Sequence, residues 1–155
     1  MPLRLGAQMC RWLCRPFRIS HKNVAMYRYF TYDRMVHIEA GSGAEALVNI
    51  PLTLSLFDTH FPRFPVLPGV LIMGCASNMA CDYMEYVAKG TWHCLSMNNV
   101  KFRHYVQPGS EMRLKLKPGK NAREDYADFS LQVRCGDQRV ATIQNIGVSR
   151  REVMS

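Results

Sequence analysis

No stretch of eighteen consecutive apolar residues occurs in this chain, so no membrane-spanning helix is expected. No repeat divides the 155 residues, a length that fits one domain with a sizeable core. The six cysteines follow no disulfide framework and no zinc-ligand spacing. Cys10 and Cys14 could share a helix face, but no histidine or second pair completes a metal site. All six are read as reduced thiols in a cytosol-like, cytoplasmic setting. Neither a metal nor a cofactor is expected. Acidic residues are absent before Asp33.

What is present is ordinary for a globular domain: 48% hydrophobic and 21% charged residues. The formal net charge of +8 is unevenly placed. Arg4, Arg11, Arg15, Arg18, Lys22 and Arg28 precede the first acid. From Asp33 onward basic and acidic residues number 14 and 12, so that part is close to neutral. Residues 1–25 form a basic extension with three readings. An Arg-rich, acid-free amphipathic head suits an organelle-targeting segment. Met9, Trp12 and Leu13 beside Arg11 and Arg15 suit a helix lying on a surface. A loosely held extension, with Met26 as an alternative start, is the third. No nucleic-acid-binding motif accompanies the charge, so no nucleic-acid partner is expected.

Residues 26–155 read as the folded domain. The aromatic-rich segment 24–36 reads as a strand that His37, Ile38 and Glu39 continue. Gly41-Ser42-Gly43 is a turn signal. A second strand runs from Glu45 to Ile50 and stops at Pro51. Beyond Gly90 the apolar period is two. The spacing predicts strands over 92–97 and 100–105, with a bend at Asn98-Asn99. It predicts a further strand in which Met112, Leu114 and Leu116 alternate with Arg113, Lys115 and Lys117. Turns at Pro118-Gly119 and Gly136-Asp137 bracket strands over 126–134 and 139–148. One helix among six or seven antiparallel strands makes an α+β domain.

That helix follows the most distinctive stretch, residues 57–88. His60 sits in a short loop that Pro62, Pro65 and Pro68 keep from becoming helix or central strand. Gly69 opens an apolar run whose Val70–Met73 start shows no polar break, as in a helix buried on most sides. Asn78, Asp82 and Glu85, with a gap at Gly74, fall on one narrow stripe. Lys89-Gly90 ends the helix. An isolated loop histidine is more often a hydrogen-bonded structural residue, and Met73, Met79 and Met84 read first as core. For Asn78, Asp82 and Glu85 the plain reading is a wetter helix face near a subunit seam.

The string H-F-P-x-x-P-V-x-P-G-V-L-I over residues 60–72 resembles the beta-hydroxyacyl-acyl-carrier-protein dehydratases of the hot-dog fold. Tyr32-Asp33-Arg34-Met35-Val36, Val100-Lys101-Phe102-Arg103 and Val106-Gln107-Pro108-Gly109 extend the resemblance over roughly residues 27 to 152. It implies a curved antiparallel sheet around one long central helix, and a working dimer. Two positions depart from the family. Its helix carries an acidic residue fourteen positions after the histidine, where this chain has Gly74. Its loop usually has glycine where this chain has Arg63.

The resemblance implies elimination of water from 3-hydroxyacyl thioesters in fatty-acid or polyketide synthesis. His60 is the candidate base for the C2 proton, since an imidazole titrates near the working pH. The Gly69 and Val70 amides, at a helix N-terminus, are candidates for polarising the thioester carbonyl. Gly74 cannot donate a proton. His60 could serve both steps, Asn78 could orient a water or the hydroxyl as a polar helper, or a partner chain could supply the acid. The implied partners are an acyl-carrier-protein or CoA thioester and a second subunit, identical or homologous. Arg63, Lys101 and Arg103 are the candidate contacts to an acidic carrier, against a plain reading as exposed arginines and lysine. A non-catalytic partner subunit and an acyl thioesterase on the same scaffold are the alternatives.

Overall fold

The computed structural model describes residues 30–59 and 62–152. The basic extension 1–25, and with it every expectation about its role, lies outside the described residues. Strands β1 (Arg34–Glu39) and β2 (Gly43–Asn49) are followed by a one-turn helix α1 (Leu56–Thr59) and a long helix α2 (Gly69–Ala88). Then come β3 (Trp92–Phe102), β4 (Glu111–Pro118), β5 (Tyr126–Cys135) and β6 (Gln138–Arg150). The six strands form one antiparallel sheet in the order β1-β2-β4-β5-β6-β3. The chain therefore leaves β2, passes through α2 and re-enters the sheet at its far edge.

Alternation decides which face is inner. Met112, Leu114 and Leu116 of β4 are buried, as are Ala127, Phe129, Leu131 and Val133 of β5. Helix α2 lies on that face, touching β2, β3, β4 and β6. Two irregularities bend the sheet around it. Phe129 and Leu131 of β5 face Ile146 and Ile143, so β6 carries an extra residue there. Cys94 and Ser96 of β3 face the adjacent pair Val148 and Gly147. Such bulges add local twist and curvature. The result is the hot-dog arrangement, an α+β fold, that the resemblance implied.

Helix α2 is about 30 Å long at 1.5 Å per residue. Its buried side includes Ile72, Cys75, Ala76, Met79, Ala80 and Tyr83, at helical spacing. The small residues bring the helix axis close to the sheet, and Met79 fills core space as the plain reading held. The Tyr83 ring packs edge-on against Phe129 with centroids 5.4 Å apart. Its hydroxyl accepts from the Gly41 amide at 2.9 Å and donates to the Glu39 carbonyl at 3.2 Å, fixing the β1–β2 turn to the helix.

Two elements differ from the sequence expectation. The segment 92–102 is one strand, not two with a bend between. Asn99 does take a positive φ of 53°, but β6 pairs with residues on both sides of it, Asn98 with Asn145 and Val100 with Ile143. Asparagine tolerates that backbone region, so the ladder carries through. The first strand begins at Arg34, later than expected, because Thr31 and Tyr32 turn their side chains toward α2.

At its C-terminus α2 ends with Lys89 (φ 58°) and Gly90 (φ 81°) in the left-handed half of the map. The orphaned carbonyls of the last turn are met from the end of β6. Arg150 Nη2 donates to the Ala88 carbonyl at 2.7 Å, and its guanidinium lies 5.3 Å from the centre of the Trp92 ring. Trp92 Nε1 donates to the Lys89 carbonyl at 2.8 Å. A cation at this end also complements the helix dipole. Arg150→Ala is expected to destabilise the domain by about 1–3 kcal/mol, from a charged hydrogen bond and a cation–π contact. Urea denaturation measures it, and an unchanged midpoint would refute it.

Candidate active site

The loop before α2 is fastened to the chain leaving β3. The Leu67 amide donates to the Val106 carbonyl at 2.8 Å, and Phe64 packs edge-on against Tyr105 with centroids 5.9 Å apart. Arg63 is exposed in this loop. His60 and Phe61 lie outside the described residues, so the base assigned from the sequence has no described geometry.

Pro68 precedes the helix in an extended conformation (φ −60°, ψ 134°), and no side chain caps this end. The first N–H groups of a helix have no acceptor within it. The amides of Gly69 and Val70 therefore present an uncapped, positively polarised terminus. Val70 is 44% exposed, so this end of α2 reaches the surface while the middle is enclosed. The glycine has a structural cause that sequence reasoning missed. A Cβ at position 69 would lie 2.6 Å from Cζ of Phe102, whose ring rests against the helix start. The signal was readable only as an aromatic at position 102; its distance from Gly69 in sequence hid the contact.

The polar stripe on α2 exists, but not as a wet face. Gly74 is buried. Asn78 Nδ2 donates to Thr31 Oγ1 at 3.1 Å, which commits one side of its amide to the entry segment. Asp82, expected on a wetter face, is 3% exposed. The Tyr32 hydroxyl donates to its Oδ2. Burial pushes the Asp82 carboxyl up to about 7, against the lowering effect of the Tyr32 hydrogen bond, with Glu85 adding to the rise. Tyr32 is pushed up in turn, by burial and then by Asp82. Thr31 and Tyr32 thus cover the Asn78 and Asp82 part of the stripe, while Glu85 stays partly exposed.

The three candidate carrier contacts do not form the single set expected. Period two separates Phe102, turned inward to Gly69, from Lys101 and Arg103 on either side of it. These two line a cleft on the outer sheet face with Lys115 and Lys117, and Arg63 is not part of that lining. Among the described residues no cluster of His, Cys, Asp and Glu could hold a metal ion. Burial pushes the Cys75 thiol up to about 12 and raises Cys81, Cys94 and Cys135 as well, so none is a ready nucleophile.

Residues 37–144 match the ApeI-like family model, described as ApeI dehydratase. This chain belongs to that dehydratase family. The chain is 32% identical over 97 residues to the 3-hydroxyacyl-[acyl-carrier-protein] dehydratase FabZ of Geotalea uraniireducens, a match covering 59% of this chain and 66% of that one. The FabZ of Wolbachia sp. subsp. Brugia malayi is 30% identical over 121 residues, covering 74% and 82%. In structure it resembles the dehydratase heterocomplex ApeI:P from Xenorhabdus doucetiae, with TM-score 0.56 and 25% identity over 76% of this chain and 97% of that one. A Helicobacter felis protein described as an HP0420 homologue shares the fold at TM-score 0.64 and 11% identity, covering 97% and 92%.

Two outcomes follow from this geometry. Gly69→Ala should cost about 1–3 kcal/mol through overpacking against Phe102. In Gly69→Ala/Phe102→Ala that loss should largely disappear, and a double-mutant cycle in urea gives the coupling directly. Additive effects would show the ring and the glycine to be independent. Asp82 concerns pH. Its folded carboxyl titrates near 7 and its ordinary value is 3.8. The unfolded chain therefore loses this proton first, and wild-type stability falls as pH rises from about 4 to about 7. Asp82→Asn keeps an acceptor for Tyr32 and removes the titration. Its advantage over wild type should grow across that window and then level off, as read from urea midpoints; a constant difference would contradict the assignment.

Proposed function

We propose that this chain removes water from 3-hydroxyacyl thioesters held on an acyl carrier protein or coenzyme A, in fatty-acid or polyketide synthesis. The observation that carries the reading is the uncapped start of α2 at Gly69 and Val70, reached directly from the loop that bears His60. In the proposed reaction the thioester carbonyl accepts hydrogen bonds from those amides. Negative charge that develops as the C2 proton leaves is then stabilised by groups already in place. His60 takes that proton. The C3 hydroxyl departs as water once an acid protonates it, and the double bond forms between C2 and C3.

The acid is assigned to a second subunit. Gly74 stands where the family has its acidic residue, and Asn78, one turn on, can orient a group but cannot supply a proton. Missing general-acid help costs about 10²- to 10⁴-fold, so two copies of this chain would turn over slowly. A homologous partner bearing the acid would restore the rate, in keeping with the heterocomplex known for the Xenorhabdus relative. The face for such a partner is the β3 edge and the neighbouring start of α2, where Leu95, Phe102 and Val70 are exposed. Gly74 also favours a second reading, in which this chain is the non-catalytic member of a pair.

The test uses a carrier-free 3-hydroxyacyl N-acetylcysteamine thioester and follows the enoyl product by absorbance. Wild-type protein is expected to turn over slowly alone and faster with a co-expressed homologue, and His60→Ala should abolish both. Turnover that survives the substitution in the pair, with none from this chain alone, establishes the non-catalytic reading. No turnover in any combination would refute the dehydratase proposal.

A further inference from the structure

The chain crosses α2 before it enters the sheet. Phe30 and Tyr32, ahead of β1, are 8% and 7% exposed. Thr31 Oγ1 accepts from Asn78 Nδ2, and the Tyr32 hydroxyl donates to Asp82 Oδ2. Residues 78 and 82 are one helical turn apart on one face, so residues 30–32 lie over the helix as a strap. Asp33 fastens the far end of this strap to β2. Its amide donates to the Leu47 carbonyl at 2.9 Å, and its Oδ2 accepts from the Asn49 amide at 2.6 Å. Residues 1–25 join the domain through the same segment.

The carboxyl beneath the strap has no counter-charge. Asp82 is 3% exposed and makes no salt bridge among the described residues. Its donor is a neutral phenol. The ionisable groups around it are acids. Glu85, on the next turn of α2, opposes its ionisation. The Cys81 thiol beside it is itself kept protonated, first by burial and also by Cys94 and Asp82. Cys94 comes from β3, and Cys75 acts on Tyr32 from α2. The faces of β2, β4 and β6 turned to the helix are apolar, as at Ala46, Leu114 and Val148. A buried carboxylate without a cation is costly, whereas a buried carboxylic acid is not. The covered state therefore holds the proton, and lifting the strap admits water and favours the anion.

We infer that residues 30–32 form a proton-operated strap, fastened to α2 while Asp82 carries its proton and loosened when that proton is lost. Asp33 is the hinge, because its bonds to Leu47 and Asn49 do not involve Asp82. The sign follows from the two states of one carboxyl. Covered, it titrates at about 7; its ordinary value is 3.8. Between those values the lifted state is ionised and the fastened state is not. Lifting becomes easier as pH rises from about 4 to about 7, by up to about 10-fold per unit, and levels off above that. Mild acidification from neutral pH therefore tightens the strap. Lifting frees the Asn78 amide from Thr31, one turn beyond Gly74. The strap stands on packing and charge alone and is independent of the proposed reaction.

The experiment reads local opening in the full-length chain. The thiol of Phe30→Cys is alkylated under native conditions, followed by peptide mass, and its rate is divided by that of the free peptide at each pH. The quotient should rise about 10- to 50-fold from pH 5 to 7 and change by less than about 3-fold from 7 to 8.5. It should exceed what global unfolding in urea permits, which marks the opening as local. Adding Asp82→Asn should flatten the profile, and adding Glu85→Gln should leave its rise in place. Tyr32→Phe removes the hydrogen bond that steadies the anion, so its plateau should move to higher pH. Hydrogen exchange of residues 30–33 in wild-type protein, divided by the intrinsic rate, should show the same rise and does not depend on the cysteine variant folding. A flat profile, a rise that survives Asp82→Asn, a rise lost with Glu85→Gln, or opening no more frequent than global unfolding would each overturn the inference.

Discussion

A twenty-residue helix enclosed by one sheet must dispose of three sets of polar groups: the amides at its start, the carbonyls at its end, and any polar side chains along it. In α2 two of the three are satisfied from within the domain. Arg150 and Trp92 meet the terminal carbonyls, and Tyr32 and Thr31 meet Asp82 and Asn78. The starting amides are the exception. The Pro68 carbonyl accepts from the Leu71 amide at 3.0 Å, but no side chain caps Gly69 and Val70, and the adjoining surface bears Val70 and the edge of Phe102. Donors left free at the start of α2 thus stand where the proposed chemistry requires them. A fold that satisfied this end with a serine or aspartate cap would be more stable by about 1 kcal/mol, and would have nothing left to polarise a carbonyl.

The same enclosure explains which features could be read from the sequence. Period-two burial of β4 and β5 is a local property, and Met112, Leu114 and Leu116 declared it. The helix declared itself through its Pro-Gly start and apolar run. What stayed hidden depended on contacts between distant residues. Asp82 looks like a surface residue until Tyr32, fifty positions earlier, is laid over it. Gly69 looks like room for a ligand until Phe102 is placed against it. Asn98-Asn99 looks like a bend because asparagine favours turns, and only pairing with β6 on both sides keeps the strand continuous. His60 stood out by its motif alone, a string of residue types too particular to arise from packing.

The basic residues illustrate the difference between proximity in sequence and proximity in space. Arg63, Lys101 and Arg103 all lie within the recognisable motifs and from the sequence read as one basic patch. A strand sends neighbours to opposite faces, so the residue between Lys101 and Arg103, Phe102, is the one that reaches the helix start. The two cations belong instead with Lys115 and Lys117, which lie across the sheet and appear in the sequence as half of an unremarkable alternating strand. Charge patterns on a sheet become legible only after strand order is known, since β3 and β4 are consecutive in the chain yet separated by β5 and β6.

Gly74 ties these threads together. An acid at that buried position would face the same desolvation that lifts Asp82 to about 7, which is the protonation state a general acid needs near neutral pH. The helix can therefore tune a carboxyl in the required way, and it does so two turns further along, where Tyr32 holds the group for packing. Asp82 is about 12 Å from position 74 along the axis, at 1.5 Å per residue. A side chain cannot cross that distance, so tuning alone does not restore the acid. In the proposed reaction that function passes to another chain. Selection for pairing would then act on the exposed β3 edge, because on this reading a chain that cannot supply its own proton gains its full rate only through its partner.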